Sequence, residues 1–362
     1  MANGQSYKVG VIGYGLAGRV FHAPLIDATP GLDVAAIVTS DPLRASQARR
    51  DFPDAQVGGE VDAVLAGAGR VDLVVVATSN ESHIPLGLRA VESGLPVVVD
   101  KPLAATVADG RRLVERAQEA GVMVTVFQNR RWDSDFLTLR RLVAQGRLGR
   151  IHRYESRFER WIPQLREGSW RENPDPAKAG GLLYDLGAHL IDQALVLFGS
   201  VTSVYAELDR RRTGSIVDDD VFVALTHAGG VRSHLWASAL APQLGPRFRV
   251  LGDQAGYTSY GLDPQEKQLA AGLRPGSPEW GRQAPERDGI LGVAGDNETV
   301  PSLPGAYQDF YSVLTAALDG GAPPPVDPWD SVAVLEIIEA AQRSTANHHI
   351  VVSISPDGGS PR

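Results

Sequence analysis

Residues 1–127 alternate short β-branched runs with helical patterns, and this alternation constrains the fold more than any other feature of the chain. Val71–Ala77 is a continuous apolar run rich in valine, which is typical of a strand buried on both faces of a parallel sheet. The alternation therefore predicts an α/β fold with a doubly wound parallel sheet of the Rossmann type. The predicted strands are Lys8–Ile12, Val34–Val38, Val71–Ala77, Val97–Val99 and Val122–Phe127, and the predicted helices are Gly15–Ala28, Pro42–Asp51, His83–Ser93 and Val107–Ala120.

The pattern changes after Gln128. Alternating apolar segments then follow one another without helices between them, which is typical of an antiparallel sheet. We therefore expect an α+β domain with a large, mostly antiparallel sheet over residues 128–355, and a flexible tail over residues 356–362. Gly272–Pro304 is rich in glycine and proline and is predicted to be a long surface loop. The predicted strands here are Val201–Leu208, Val221–Thr226, Arg232–Leu240 and Arg247–Leu251, and the predicted helices are Phe136–Gln145, a stretch within Gly180–Phe198, Tyr307–Leu318 and Asp330–Ala346.

Composition and charge exclude several classes of protein. The 362 residues include no cysteine, which excludes disulfides, zinc–thiolate sites, iron–sulfur clusters and a cysteine nucleophile. The net charge of −8, with lysine and arginine spread along the chain, argues against a nucleic-acid partner or an anionic membrane surface, because both require a basic patch. The start, MANGQSYK, lacks the features of a signal peptide, and no apolar run approaches the roughly 20 residues of a membrane-spanning helix. We therefore expect a cytoplasmic protein.

The segment VGVIGYGLAG carries a G-x-G-x-x-G pattern between the first predicted strand and the first predicted helix. In this pattern Gly13 allows a tight turn, Gly15 lets the backbone approach a pyrophosphate, and Gly18 permits close packing of helix against strand. A plain tight turn would look the same, but the position at the first strand of a parallel sheet favours dinucleotide binding. We expect Leu16 and Ala17 to join these glycines around the phosphates, at the helix N-terminus.

The residues after the second predicted strand bear on the choice between NAD and NADP. Thr39, Ser40 and Asp41 follow that strand, and an acid there can bond the adenosine ribose hydroxyls and repel a 2′-phosphate. Arg44 is close by and can instead pair with that phosphate. Asp41 is also well placed to cap the helix that begins at Pro42. These four residues after the strand are candidate cofactor contacts, and the acid favours NAD.

Polar residues also follow the third and fourth predicted strands. ATSNESH comes after Val71–Ala77, and ligands of a doubly wound sheet bind outside the carboxyl ends of its strands. Lys101 emerges from VVVDKP at another strand end, where a nicotinamide ring is expected to lie. An ordinary polar loop and a salt bridge of the lysine with a neighbouring acid are the alternatives. The candidate cofactor contacts at these two strand ends are Thr78, Ser79, Asn80, His83, Asp100 and Lys101.

The segment GGLLYDLGAHLIDQAL leads a glycine pair into a helix with three polar residues at helical spacing. Asp185 and His189 are four positions apart and Asp192 is three further on, which places them on one face of the helix. An acid one turn before a histidine can fix its tautomer and stabilise its protonated form. A zinc site would need a further ligand that the sequence does not supply, so we predict no metal. A structural histidine is the alternative to a catalytic one.

Together these segments resemble the Gfo/Idh/MocA family of oxidoreductases, which includes glucose–fructose oxidoreductase and inositol dehydrogenase. VGVIGYGLAG, ATSNESH, VVVDKPLA and YDLGAHLIDQ occur in the family's order and spacing, and the resemblance covers nearly the whole chain. VFQNRRWDSDF, ESRFERW, GPRFRVLGDQAGY and YGLDPQE are similar to the branch with NADP-dependent scyllo-inositol dehydrogenases. Two positions depart from the pattern: Asp100 replaces the usual glutamate before the lysine, and Asp41 stands where that branch often has an arginine for the 2′-phosphate.

The resemblance implies a reaction and the residues that carry it. The reaction is NAD(P)-dependent hydride transfer between nicotinamide and a secondary alcohol of a sugar or cyclic polyol, such as an inositol. Lys101, Asp185 and His189 match the family's catalytic positions. On this hypothesis His189 is the general base, Asp185 bonds the histidine or a substrate hydroxyl, and Lys101 stabilises the developing alkoxide.

Further residues are expected to contact the ligands. Trp170 and Arg171 match a pair that contacts cofactor in some relatives, with a loop packed on the domain interface as the alternative. Asn129, Arg157 and Tyr184 are candidates for binding polyol hydroxyls, and Asn129 is also a candidate cofactor contact. The resemblance implies a homo-oligomer, a dimer or tetramer. A non-catalytic NAD(P)-binding sugar sensor and an NAD-dependent glycosidase on the same fold are the alternative functions.

Overall fold

The computed structural model describes residues 6–66, 71–166 and 168–354, so the predicted tail at 356–362 lies outside the described residues. The strands of the first sheet are β1 (Tyr7–Ile12), β2 (Leu32–Val38), β3 (Gln56–Gly58), β4 (Leu73–Val76), β5 (Val97–Asp100) and β6 (Val124–Phe127). Their order is β3-β2-β1-β4-β5-β6, and every neighbouring pair is parallel. This order confirms the predicted doubly wound sheet.

Helices cover both faces of this sheet, so its strands are apolar throughout. All four residues of β4 are fully buried. The helices of this part are α1 (Ala23–Asp27), preceded by a π-helical turn at Ala17–His22, α2 (Pro42–Asp51), α3 (Val61–Leu65), α4 (His83–Glu92) and α5 (Val107–Ala120). Asp41 caps α2 and Thr106 caps α5 through side-chain oxygens that accept backbone N–H bonds, as helix starts favour.

Nine further strands form a second sheet. They are β7 (Ile151–Glu159), β8 (Val201–Asp209), β9 (Asp220–His227), β10 (Arg232–Ser238), β11 (Phe248–Gly252), β12 (Gly256–Ser259), β13 (Gly289–Val293), β14 (Asp296–Val300) and β15 (Val352–Ser353). Within the described ranges their order is β14-β13-β12-β11-β7-β10-β9-β8-β15, with β7 and β10 parallel and the other neighbours antiparallel. The prediction of a mostly antiparallel sheet is confirmed.

Five helices accompany this sheet in the described part of the chain, and two of them also pack on the first sheet. They are α6 (Ser134–Ala144), α7 (Ala188–Phe198), α8 (Gln265–Ala270), α9 (Gln308–Leu318) and α10 (Pro328–Ala346). Phe310 and Tyr311 of α9 lie in one apolar cluster with Val9 and Val11 of β1, and α10 packs against α5. The hydrophobic core therefore continues across the proposed boundary at residue 127.

Strand β7 was not predicted because its outward face is charged. Tyr154, Ser156 and Phe158 point into the core and are fully buried, whereas Glu155 and Arg157 alternate with them on the other face. Those two charges pair with each other at 3.1 Å, which lets a highly charged segment serve as a central strand. The alternation of period two is present, but charged positions outweigh it in a reading by hydrophobicity.

The predicted surface loop Gly272–Pro304 is wrong in part. Its second half forms the hairpin β13–β14, which extends the edge of the second sheet. Leu291 and Val300 of this hairpin are buried, and Trp280 is buried ahead of it. The glycines that suggested a loop include the positive-φ turn residue Gly295, which connects the two strands. The short elements β3 and α3 were also not predicted.

One helical stretch in the described ranges, Pro176–Phe198, is long and apolar enough to cross a membrane by length and composition. Seventy-two per cent of its most apolar window is buried inside the fold, with a mean hydropathy of 1.2. Burial of this kind is typical of a core helix, since a helix that is apolar all round requires protein or lipid around it.

A buried ion pair links the end of the first sheet to α7. Arg131, just after β6, donates from Nε and Nη2 to the carboxylate of Asp192, at 2.9 and 2.6 Å. The Asp192 side chain is only 2% exposed. Arg131 also donates to Asp330 of α10 at 3.0 Å, but that carboxylate is 45% exposed. Asp192 is therefore occupied by a structural pair and does not belong to the cleft.

We expect Asp192→Ala to lower the free energy of unfolding by about 3–5 kcal/mol, because it leaves the Arg131 charge without its buried partner. The measurement is urea denaturation of the purified protein. Asp330→Ala is the matched control, since it removes an exposed partner of the same arginine, and it should cost under about 1 kcal/mol. Equal losses in the two variants would contradict the assignment.

Candidate active site

A cleft of about 720 Å³ lies at the carboxyl ends of all six strands of the first sheet. This is where ligands bind in doubly wound sheets. Its other wall comes from the second half of the chain and includes Arg160 and Glu266. The residues predicted from sequence that line the cleft are Gly13, Gly15, Leu16, Ala17, Thr39, Ser40, Arg44, Thr78, Ser79, Asn80, Asp100, Lys101, Asn129, Trp170, Arg171, Asp185 and His189.

The glycine turn leaves room for a phosphate group. Gly13 has φ +104°, and a Cβ on it would collide with the carbonyl oxygen of Ala77. A Cβ on Gly15 would instead project into the cleft, where the nearest atom is Nη1 of Arg44 at 3.7 Å. Gly18 does not line the cleft, and a Cβ there would collide with the carbonyl oxygen of Gly13, so its role is close packing. The turn therefore fits a dinucleotide pyrophosphate as the sequence predicts.

Asp41 does not line the cleft, which corrects the expectation that it contacts the cofactor. Its carboxylate accepts hydrogen bonds from the backbone N–H groups of Leu43 and Arg44, at 2.9 and 3.2 Å, and so caps α2. It also lies 3.5 Å from Nε of Arg44. The polar side chains that do reach the cleft at this strand end are Thr39, Ser40 and Arg44.

His83 is also absent from the cleft lining. It is 1% exposed, and its ring nitrogens bond the carbonyl oxygens of Pro102 and Thr78, at 2.8 and 3.3 Å. Burial lowers its pKa, so the ring is neutral and serves to link two strand ends. Thr78 itself lines the cleft, as does Asn80, whose side-chain amide donates to the carbonyl of Lys178 at 2.8 Å.

Two of the candidate substrate contacts lie outside the cleft. Arg157 projects from the outward face of β7, where its guanidinium stacks on the Trp236 ring at 4.0 Å and pairs with Glu155. Tyr184 is buried and donates its hydroxyl to the carbonyl of Ala105 at 2.7 Å. Burial raises its pKa to about 12. Both side chains have structural partners, and neither lines the cleft.

Lys101, Asp185 and Arg171 form a bridged ion-pair cluster in the cleft. Lys101 Nζ donates to the carbonyl and to Oδ1 of Asp185, at 2.6 and 3.1 Å, and Arg171 Nε donates to Oδ2 at 2.6 Å. Burial alone would raise the pKa of Asp185, but the two cations outweigh it and hold that pKa well below its usual range. The Arg171 guanidinium also stacks on Trp170 at 4.6 Å.

His189 faces this cluster as a neutral imidazole. It is 4% exposed, and burial, reinforced by Lys101 and Arg130, lowers its pKa well below 6.5. Its Nδ1 is buried and has no hydrogen-bond partner among the described residues, and both carboxylate oxygens of Asp185 are taken by other groups. Asp185 therefore does not fix the tautomer of His189, contrary to one of the two roles expected for it.

The sequence reading missed three charged side chains of the cleft, Arg130, Arg160 and Glu266. Arg130 follows the carboxyl end of β6, so the rule that identified Lys101 would have found it. It is 7% exposed and pairs with Glu266 at 2.9 Å. Arg160 follows the unpredicted strand β7, and Glu266 lies in α8 far along the chain, so no local signal indicated either. Asn129, which was predicted, makes no side-chain hydrogen bond to another described residue and is free to bind a ligand.

Two family models together match most of the chain. Residues 7–128 match the NAD-binding Rossmann fold of an oxidoreductase family, and residues 140–354 match the C-terminal α/β domain of the same family. The chain belongs to the Gfo/Idh/MocA oxidoreductase family. Its first part is accordingly an NAD(P)-binding Rossmann domain, and the resemblance stated from the sequence motifs is confirmed.

Relatives in this family match the chain over nearly its full length. It is 36% identical over 352 residues to scyllo-inositol 2-dehydrogenase (NADP(+)) IolW of Bacillus subtilis, with 96% of each chain covered. It is 40% identical over 355 residues to the uncharacterized oxidoreductase YdgJ of Escherichia coli, covering 97% of this chain and 99% of that one. The structure of the putative oxidoreductase yvaA from B. subtilis matches with a TM-score of 0.92 at 34% identity, covering 98% of this chain and 100% of that chain.

We expect Gly15→Val to raise the Kd of NADPH at least ~10-fold without lowering the melting temperature, because the new side chain enters the cleft and not the core. Gly18→Ala should do the reverse, lowering the free energy of unfolding by about 1–3 kcal/mol through its collision with Gly13. Cofactor fluorescence and thermal melting of both variants are the measurements. Normal cofactor binding by Gly15→Val would contradict the placement of the phosphates.

Proposed function

We propose that this chain is an NADP-dependent dehydrogenase that oxidises a secondary alcohol of a sugar or cyclic polyol, or reduces the corresponding ketone. The observation that carries the proposal is the convergence of Lys101, Asp185 and His189 in one cleft with a phosphate-binding glycine turn. The name of the relative IolW, a scyllo-inositol 2-dehydrogenase, supports an inositol-like substrate. When bound, the nicotinamide supplies the hydride acceptor.

The chain's own part in this reaction is to handle a proton and a developing charge. His189 is the proposed general base, since its lowered pKa keeps the imbracing imidazole neutral at neutral pH and able to accept the hydroxyl proton. Lys101 is the proposed stabiliser of the alkoxide. An ammonium has three N–H donors, and Nζ directs two hydrogen bonds at Asp185, which leaves one for a substrate oxygen.

Asp185 has a positioning role in this scheme. Its carboxylate stays ionised because Lys101 and Arg171 hold its pKa below the usual range. It fixes the Nζ atom of Lys101 beside the cleft and prevents the ammonium from turning towards solvent. A positioned donor stabilises an alkoxide without reorganisation during the reaction, which is the main electrostatic contribution that a dehydrogenase site can make.

The geometry at the second strand end favours NADP, which reverses the preference for NAD drawn from Asp41. The carboxylate that was expected to repel a 2′-phosphate is engaged in capping α2. Arg44 lines the cleft together with the hydroxyl-bearing Thr39 and Ser40, and an arginine binds phosphate through charge-assisted hydrogen bonds. The NADP(+) in the name of IolW agrees with this proposal.

We expect Lys101→Ala and His189→Ala each to lower kcat at least ~10²-fold while the Kd of NADPH changes little, because both act on the substrate oxygen. Turnover is followed by nicotinamide absorbance with NADP and a panel of inositols and sugars. Because the pKa of His189 is lowered, the acidic limb of the wild-type kcat/KM profile should fall below pH 6.5. Cleavage of a glycoside without net reduction would instead identify a glycosidase, and cofactor binding with neither reaction would identify a sensor.

We expect Arg44→Ala to weaken NADPH binding at least ~10-fold while NADH binding changes little, because the arginine contacts only the 2′-phosphate. Titration of each cofactor, followed by fluorescence, gives both Kd values. Arg50→Ala is the matched control, since Arg50 is an exposed cation on the same helix that does not line the cleft. Equal loss of NADH and NADPH affinity in Arg44→Ala would overturn the assignment.

A further inference from the structure

The part of the cleft around Lys101 and His189, here called the substrate end, carries an excess of positive charge. Among the described residues, four cations line it against three carboxylates, with His189 neutral. The cations are Lys101, Arg130, Arg160 and Arg171, and the carboxylates are Asp100, Asp185 and Glu266. A neutral polyol would leave this excess unbalanced when it displaces water from the cleft.

Arg160 is the cation that no carboxylate holds. Lys101 and Arg171 both bond Asp185, and Arg130 pairs with Glu266 at 2.9 Å. The guanidinium of Arg160 makes no hydrogen bond and no ion pair with any residue in the described ranges, and it lies 5.9 Å from the ring of Phe158. All five of its N–H donors are therefore available to a ligand.

The backbone at Arg160 is fixed even though the side chain is unpaired. Its N–H donates to the carbonyl of Ser238 at 2.8 Å, and its carbonyl accepts from the N–H of Ala241 at 3.0 Å. The guanidinium is thus carried by the end of a central strand and is half-buried at the wall of the cleft. A positioned, partly desolvated arginine without a partner is unusual for a purely structural residue, because an unpaired charge loses solvation without compensation.

The charged groups around Arg160 place it at the substrate end. Burial lowers its pKa, Glu266 and Asp185 act against this, and Arg130 and Arg171 reinforce it. The guanidinium stays protonated under any of these influences. Three of these four neighbours already bond one another or Lys101, so a further anion would meet Arg160 as its free partner.

We propose that Arg160 binds a carboxylate of the substrate, so that the enzyme acts on a sugar or polyol that also carries an acid group, such as a sugar acid. The inference rests on the dehydrogenase function proposed above and names its substrate class. A planar carboxylate matches the fork of the guanidinium in a bidentate pair, and its single charge balances the single excess cation. Lys101 and His189 then face a hydroxyl-bearing carbon of the same molecule.

The test compares binding of matched acids and neutral sugars to the protein saturated with NADPH, a complex in which no alcohol can be oxidised. The probes are D-glucuronate against D-glucose and D-galacturonate against D-galactose, each pair differing in one carboxylate. We expect at least one acid to bind ~10-fold or more tightly than its neutral partner, since charge-assisted hydrogen bonds contribute that much. Calorimetric titration gives the Kd values, and added salt should reduce the preference.

Variants assign the preference to Arg160. Arg160→Gln should abolish it, and Arg160→Lys, which keeps the charge but loses the fork, should retain part of it. Arg166→Gln is the matched control, since Arg166 is exposed and outside the cleft, and it should behave as the wild type. The proposal is overturned if neither acid binds more tightly than its partner in the wild type, or if the preference survives in Arg160→Gln. Because the assay needs no turnover, failure of the dehydrogenase function would appear separately, as absence of nicotinamide reduction.

Discussion

The carboxylate of Asp185 holds together two cations from distant parts of the chain, and the geometry of the cleft depends on this junction. Lys101 comes from the end of β5, Arg171 from a turn in the second half of the chain, and Asp185 from the π-helical turn that leads into α7. The carboxylate is 5% exposed, so water cannot replace either cation. Removal of the carboxylate would leave two buried positive charges facing one another, which is far more costly than loss of a surface pair.

The same junction influences the histidine. Lys101 is held beside His189 by Asp185, and its charge adds to burial in lowering the pKa of the imidazole. A neutral base next to a fixed ammonium is a stable combination, because protonation of the ring would place two cations together. Asp185 thus acts on His189 through the lysine and not by a direct hydrogen bond. At the next turns of α7, Asp192 holds Arg131 and fixes the helix against the end of β6.

Much of the fold was predictable from sequence because it rests on local patterns. The first sheet follows from valine-rich strands alternating with capped helices, and the bounds of α2 and α5 match their predictions residue for residue. Strand β7 was missed because its outward charges neutralise one another across the sheet, as Glu155 does with Arg249 of β11 at 2.8 Å. The hairpin β13–β14 was missed because its strands are short and glycine marks both loops and strand turns.

The site divides in the same way, according to whether recognition is local in sequence. Phosphate binding depends on the backbone of one turn, and the glycines that shape it stand within six residues of each other, so the motif is visible in a single sequence. Arg130, Arg160 and Glu266 become neighbours only when three separate segments fold together, so their pairing, and the absence of a partner for Arg160, has no local signature. Even Asp41, which is local, could be read as a ribose ligand or as a helix cap, and only the direction of its carboxylate distinguishes the two. Substrate choice in a chain of this kind is therefore decided by which charges remain unpaired after folding, and the glycine motif carries no information about it.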